Sequence, residues 1–142
     1  HSERGRRGLT ENRHDIAKTL WSMWSPDWNF DDTTFDRSAP SFNNPDFVNV
    51  VTHSYRHRYG LVPGDPAVAH IETQLTAQPP ITVPTVTIDG STDGVAVLTA
   101  RHAKQFTGRY DYRVYSKAGH NLPQERPREW AQAVLDARAM VA

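Results

Sequence analysis

Only two segments of this 142-residue chain have the make-up of β-strands, and each runs into a loop and then a helix. The first, Val83-Pro84-Thr85-Val86-Thr87-Ile88-Asp89, is β-branched nearly throughout, with its proline at the entrance. The second is Tyr112-Arg113-Val114-Tyr115-Ser116. Between them lie a loop at Gly90–Val95 and a helix over roughly Leu98–Phe106, closed by Gly108. After the second strand come the loop Lys117–Pro123 and a final helix with Trp130, Val134, Ala137 and Val141 on one stripe. This alternation predicts parallel βαβ units, an α/β fold. Parallel strands are covered on both faces and need neighbours, so two of them are not a finished sheet. The remaining strands are expected from another polypeptide or from a segment upstream of residue 1. A first residue that is histidine and not methionine likewise suggests a processed, clipped or excerpted chain.

Everything before Pro79 has a different texture. Residues 9–25 carry Ile16, Leu20 and Met23 on one helical stripe and Ala17, Trp21 and Trp24 on its neighbour, a girth that predicts a helix between layers. Asp32 is an N-cap for a short helix holding Phe35. Asn44-Pro45 reads as N-cap plus first helical position and Gly60 as the stop, with Phe47, Val50, Val51, Ser54 and Tyr55 sharing a face. Asp65-Pro66 repeats the start signal before Val68, Ile71 and Leu75, and Pro79-Pro80 ends that helix. The chain therefore divides into a helical segment, 1–78, and an α/β segment, 79–142.

Bulk properties exclude several functions. Lys plus Arg and Asp plus Glu balance at 16 each, so no global field calls for nucleic acid or an anionic membrane. The cluster Arg4, Arg6 and Arg7 among glycines reads as a solvated terminus. With no cysteine, disulfides, thiol catalysis and thiolate metal sites are ruled out. Neither a membrane-spanning run nor a signal peptide is recognisable, which predicts a cytoplasmic setting.

The chemistry is concentrated in two loops. In open α/β sheets, ligands meet the loops that leave the carboxyl ends of strands. Here those loops are Gly90-Ser91-Thr92-Asp93-Gly94, holding one carboxylate, and Gly119-His120-Asn121, holding one imidazole. They follow adjacent strands, so Asp93 and His120 can meet although 120 − 93 = 27 positions separate them. A carboxylate beside a histidine fixes its tautomer and stabilises the imidazolium during proton transfer.

Ile88-Asp89-Gly90-Ser91-Thr92-Asp93 resembles the strand-plus-acid segment of the α/β-hydrolase family. Gly119-His120-Asn121-Leu122-Pro123-Gln124-Glu125-Arg126-Pro127 resembles that family's histidine loop and last helix. The order, acid before histidine, agrees with the family's nucleophile, acid, histidine order. The resemblance covers roughly residues 80–142 and implies that this is the C-terminal part of such a hydrolase, with Asp93 and His120 as catalytic residues. The turn Gly90–Gly94 departs from a nucleophile elbow because its centre is Thr92, and no other segment supplies one. The nucleophile is therefore expected in an N-terminal half of the same hydrolase, the implied partner.

Residues 1–78 fit the family's helical cap. His53-Ser54-Tyr55-Arg56-His57 resembles the cap segment of epoxide hydrolases, in which a tyrosine followed by arginine supplies a ring-opening phenol, placing Tyr55 against substrate. The tryptophans of Leu20–Trp28 suit the epoxide hydrolase and haloalkane dehalogenase branch, where the nucleophile is an aspartate, and make Trp24 a second candidate substrate contact. A serine esterase or lactonase on the same scaffold, or a non-catalytic binding protein that keeps acid and histidine, are the rival readings. The resemblance implies a small-molecule substrate, no cofactor and no metal. A homo-oligomer is compatible with it.

Each candidate has a plainer explanation. Asp93 beside glycine is ordinary turn chemistry, and His120 could be a structural loop histidine. Tyr55 on a helical stripe could be core. Trp21, Trp24 and Trp28 could be core or interface residues, and in a roof helix they could also touch substrate. His53 and His57 have the i, i+4 spacing of metal ligands but no acidic or third histidine partner in sequence, and read as exposed helix residues.

Overall fold

The computed structural model describes residues 2–95 and 99–141. These fall into two compact units: residues 1–20 with 30–76, and residues 21–29 with 77–142. The division lies close to the change of texture at Pro79, with one departure. The tryptophan-rich stretch 21–29, expected with the helical segment, packs with the α/β unit instead.

The first unit is helical. It contains α1 (Glu3–Glu11), the start of α2 (Arg13–Trp24), α3 (Asp32–Asp36), α4 (Phe47–Arg58) and α5 (Ala69–Thr76), with short 3-10 turns at Ala39–Asn43 and Pro66–Val68. Its centre is a run of rings. The Phe42 ring centroid lies 5.9 Å from that of Phe35 and 5.3 Å from that of Phe47, and His14 makes a T-shaped contact with it at 5.8 Å. Phe35 and Ala39 are buried. The Arg13 guanidinium donates to the Phe42 carbonyl at 3.0 Å, and Arg6 donates to Asn49 Oδ1 at 2.6 Å between α1 and α4.

Helix starts fall one or two residues from their expected places, for local reasons. Asp31, not Asp32, caps α3, its carboxylate accepting from the Thr34 amide at 2.8 Å. Hydrogen bonds from the Thr34 hydroxyl and then its amide hold the Asp31 carboxyl below the usual carboxylate range. Asn44 turns the chain by accepting from the Asp46 amide, so α4 begins at Phe47 and not at Pro45. Asp65 does cap its turn, accepting from the Ala67 amide at 2.9 Å. The stretch 9–25 is not one helix: the backbone breaks at Asn12 (φ −130°) between α1 and α2. Nor is α2 sandwiched within the described residues, since none of its residues is buried and Met23 is exposed.

The second unit holds the sheet. Strands β1 (Thr85–Gly90) and β2 (Tyr110–Tyr115) pair in parallel with Thr85 opposite Tyr110 and Gly90 opposite Tyr115. An isolated parallel bridge, Ile81 to Phe106, extends the pairing upstream. The connection, expected to carry an α-helix from Leu98, contains a 3-10 helix at Thr99–Gln105, and Leu98 lies outside the described residues. After β2 come α6 (Leu122–Glu125) and α7 (Pro127–Ala139).

Alternation along the strands gives the two sheet faces different chemistry. Arg113 and Tyr115 point to α7, where Arg113 pairs with Asp136 at 2.7 Å and the Tyr115 hydroxyl donates to the Glu129 carbonyl at 2.9 Å. Bonds from Gln132 and Arg113 hold the Asp136 carboxyl below its ordinary range, and the bonds to Asp111 and Asp136 raise the Arg113 guanidinium. The opposite face carries Thr87, Tyr110, Asp89 and Tyr112, with Thr87 and Tyr110 hydroxyls 2.8 Å apart.

The core is small. Among the described residues the buried hydrophobic set is Phe35, Ala39, Ala118, Leu122 and Ala133, while Val83, Val114, Trp130, Val134, Leu135 and Val141 of the second unit are exposed. A parallel sheet normally covers such residues from both sides. No helix among the described residues is long and apolar enough to cross a membrane.

Candidate active site

Parallel pairing places the carboxyl ends of β1 and β2 side by side, so the two loops leave the sheet together. They are sewn to each other by main chain. The Ser91 amide donates to the Tyr115 carbonyl at 3.0 Å, Lys117 N donates to Ser91 Oγ at 3.0 Å, and both N and Oγ1 of Thr92 donate to the Ala118 carbonyl at 3.0 Å. This closeness requires glycine. A Cβ on Gly90 would stand 2.3 Å from the Ala118 oxygen, and one on Gly119 would stand 2.4 Å from Ser25 Cα.

The outcome is a carboxylate against an imidazole: Asp93 Oδ2 lies 2.9 Å from His120 Nδ1. The other Asp93 oxygen accepts from the Val95 amide at 2.8 Å, which fixes the carboxylate's orientation. The Asp93 side chain is 11% exposed and that of His120 40%. The acid is thus sheltered and the imidazole presented outward. With Nδ1 committed to the carboxylate, Nε2 is the nitrogen left to exchange protons with a substrate or water.

The rings of Trp24 and His120 meet edge to face at 5.3 Å between centroids, and Trp21 stacks on Trp28 at 5.2 Å. Of the sequence candidates, Asp93, His120 and Trp24 are therefore brought together. Tyr55 is carried by α4 in the first unit, where it is 42% exposed and not a core residue. Its stripe-mate Val50 is exposed as well. His53 and His57 stack with ring centroids 6.3 Å apart, and no group of three or more metal-ligating side chains occurs among the described residues.

Three supporting residues carried no sequence signal of their role. Asp89, buried at the end of β1, accepts from the Thr99 amide at 2.6 Å and the Tyr112 hydroxyl at 2.8 Å, tying the far end of the acid loop to the sheet. Desolvation, and then the Asp89 carboxylate, raise the Tyr112 hydroxyl above the usual phenol range. Glu125 reaches back from α6 and accepts from the amides of Gly119 (2.7 Å) and Asn121 (2.9 Å), on either side of His120. Ser25 lies under the histidine loop from 95 positions away. Glu125 meets the cap residue's amide as a capping-box carboxylate does, but from one position later than that pattern specifies. Nothing local marks Ser25.

The chain has the fold of the C-terminal part of an α/β-hydrolase. It superposes on the crystal structure of a "putative epoxide hydrolase" from Klebsiella pneumoniae subsp. pneumoniae with a TM-score of 0.93 at 43% sequence identity. The match covers 96% of this chain and 46% of that one, so the chain spans about half the length of the protein it resembles. Its fold is thus epoxide hydrolase-like. No family model and no curated protein matches the sequence.

Proposed function

We propose that this chain supplies the acid, the histidine and the helical cap of an epoxide-opening hydrolase whose nucleophile, an aspartate, resides in an N-terminal half. The observation that carries the reading is the 2.9 Å contact between Asp93 Oδ2 and His120 Nδ1. The likeness to a protein described as an epoxide hydrolase supports the choice of reaction. The exposed Val114, Val134 and Leu135 support a partner that completes the sheet and its covering layer.

In the proposed reaction the nucleophile's carboxylate attacks an epoxide carbon and the carbon–oxygen bond breaks. The released alkoxide takes a proton from the Tyr55 phenol, leaving a covalent ester. His120 Nε2 then removes a proton from water, and the hydroxide attacks the ester carbonyl. Collapse frees the diol and regenerates the carboxylate, and the proton held by His120 returns through solvent to the Tyr55 phenolate. Epoxide plus water becomes diol, with no net change in the protein. Asp93 stabilises the imidazolium formed midway. Trp24, in T-shaped contact with the imidazole, forms part of the substrate wall.

The experiment is single-turnover mass spectrometry on His120→Gln, in the hydrolase assembled with its nucleophile half and a simple aryl or alkyl epoxide. A carboxylate nucleophile is already ionised and attacks unaided, whereas serine needs the base to lose its proton. The expected result is a protein heavier by one substrate mass, stalled as the ester. An unmodified variant whose parent hydrolyses aryl esters but not epoxides would instead establish a serine esterase. A parent inert towards both would point to a binding protein.

A further inference from the structure

The acid loop and the histidine loop share a third support, drawn from residues 24 and 25. The Trp24 carbonyl accepts from both loops at once, from the Gly94 amide at 3.1 Å and from the His120 amide at 3.0 Å. One residue later, Ser25 Oγ accepts from the His120 amide at 3.0 Å, the Asn121 amide at 3.2 Å and Asn121 Nδ2 at 2.9 Å. Ser25 is 1% exposed, the largest fully buried side chain among the described residues. Its own backbone is fixed on both sides, with Ser25 N donating to the Trp21 carbonyl and the Ser25 carbonyl accepting from Trp28 N, each at 3.0 Å.

A serine so close to a catalytic histidine invites comparison with a nucleophile, and the geometry excludes that. Its oxygen faces the main chain of His120, not the ring, three donors crowd it, and solvent does not reach it. We infer that Ser25 is a positioning residue: its hydroxyl sets the main chain at His120 and Asn121 so that the imidazole meets Asp93. The inference rests on the catalytic reading of that pair given above.

The physical case is redundancy. The His120 amide has a second acceptor in the Trp24 carbonyl, and the Asn121 amide has one in Glu125. Losing the hydroxyl therefore strands no backbone donor, and the loop survives. What it loses is a rigid anchor directly beneath the residue whose ring must hold a 2.9 Å contact. Misplacement of a catalytic group by about 1 Å costs on the order of 100-fold in rate.

The test is Ser25→Ala in the assembled hydrolase, read in two independent ways. With epoxide, kcat should fall on the order of 10- to 100-fold and KM should fall with it, leaving kcat/KM close to the parent's, because His120 acts on hydrolysis of the ester and not on its formation. Without substrate, the parent should show a low-field proton resonance from the His120 Nδ1–H bonded to Asp93, and in Ser25→Ala that resonance should broaden or disappear. A purely structural serine would lower the melting temperature and leave both readings alone. If Ser25→Ala does not fold, Ser25→Cys keeps the volume with a poorer acceptor and should show the same two losses in weaker form. Parent-like kcat and an intact resonance in whichever variant folds would overturn the inference. The resonance needs no turnover, so a parent inactive on epoxides would sink the proposed reaction and still leave this role decided.

Discussion

The two units are held together in different ways. In the helical unit, side chains meet side chains: Phe35, Phe42, Phe47 and His14 form a chain of rings at 5.3–5.9 Å, with many apolar neighbours left exposed. In the α/β unit, main chain meets main chain at the loops, so closely that Gly90, Gly94 and Gly119 have no room for a methyl group. Ring clusters repack when one member changes, and neighbouring side chains absorb the difference. Backbone packed on backbone cannot adjust without shifting a strand or a loop. Tolerance belongs to the helical unit and exactness of placement to the unit bearing Asp93 and His120, as expected if one recognises and the other reacts.

The largest effect that would break this comparison is on turnover. Asp93→Asn should leave the loops folded, since the Asp93 amide keeps its bond to the Gly90 carbonyl, yet lower kcat by up to ~10⁴-fold through loss of tautomer control at His120. The measurement is steady-state kinetics of the assembled hydrolase. Turnover within a few-fold of the parent would make Asp93 a turn residue and place the acid elsewhere.

Next in size is Gly119→Ala. Its methyl group would press against Ser25 Cα at 2.4 Å and the Trp24 carbonyl at 2.7 Å, both backbone, at a cost on the order of 3 kcal/mol. Denaturant titration should find the second unit destabilised, with activity lost beyond what the unfolded fraction explains.

The smallest effect has the opposite sign. Gly8 lies within α1, and a Cβ there would meet nothing within 4 Å. Gly8→Ala should therefore stabilise the helical unit by about 0.5–1 kcal/mol, through helix propensity alone. Equal responses at Gly8 and Gly119 would mean that the two units do not differ in tolerance.

Much of the α/β unit was legible because its signals are local. A β-branched run and a tyrosine-bearing one, each followed by a glycine-containing turn, with an acid in the first turn and a histidine in the second, make sense only as neighbouring strands. The 2.9 Å contact is what parallel pairing then delivers. Helix starts were legible to within a residue or two, since Asp31 and Asp32, or Asn44 and Asp46, offer equivalent caps that only the local backbone separates. The expected burial of α2 does not occur among the described residues, because periodicity reports which residues share a face and not what covers it.

By itself, then, the sequence determined the strand–loop–helix order, the parallel pairing, and the pairing of Asp93 with His120, because each strand and each loop is marked by a few consecutive residues and parallel order brings the two loops together. Only the tertiary structure decided that residues 21–29 pack with the α/β unit, that Trp24 stands against the imidazole, and that Ser25 lies beneath the histidine loop. The reason is the 95 positions between Ser25 and His120. A hydroxyl acquires a role here from the three donors that surround it, and no pattern confined to a few consecutive residues records them.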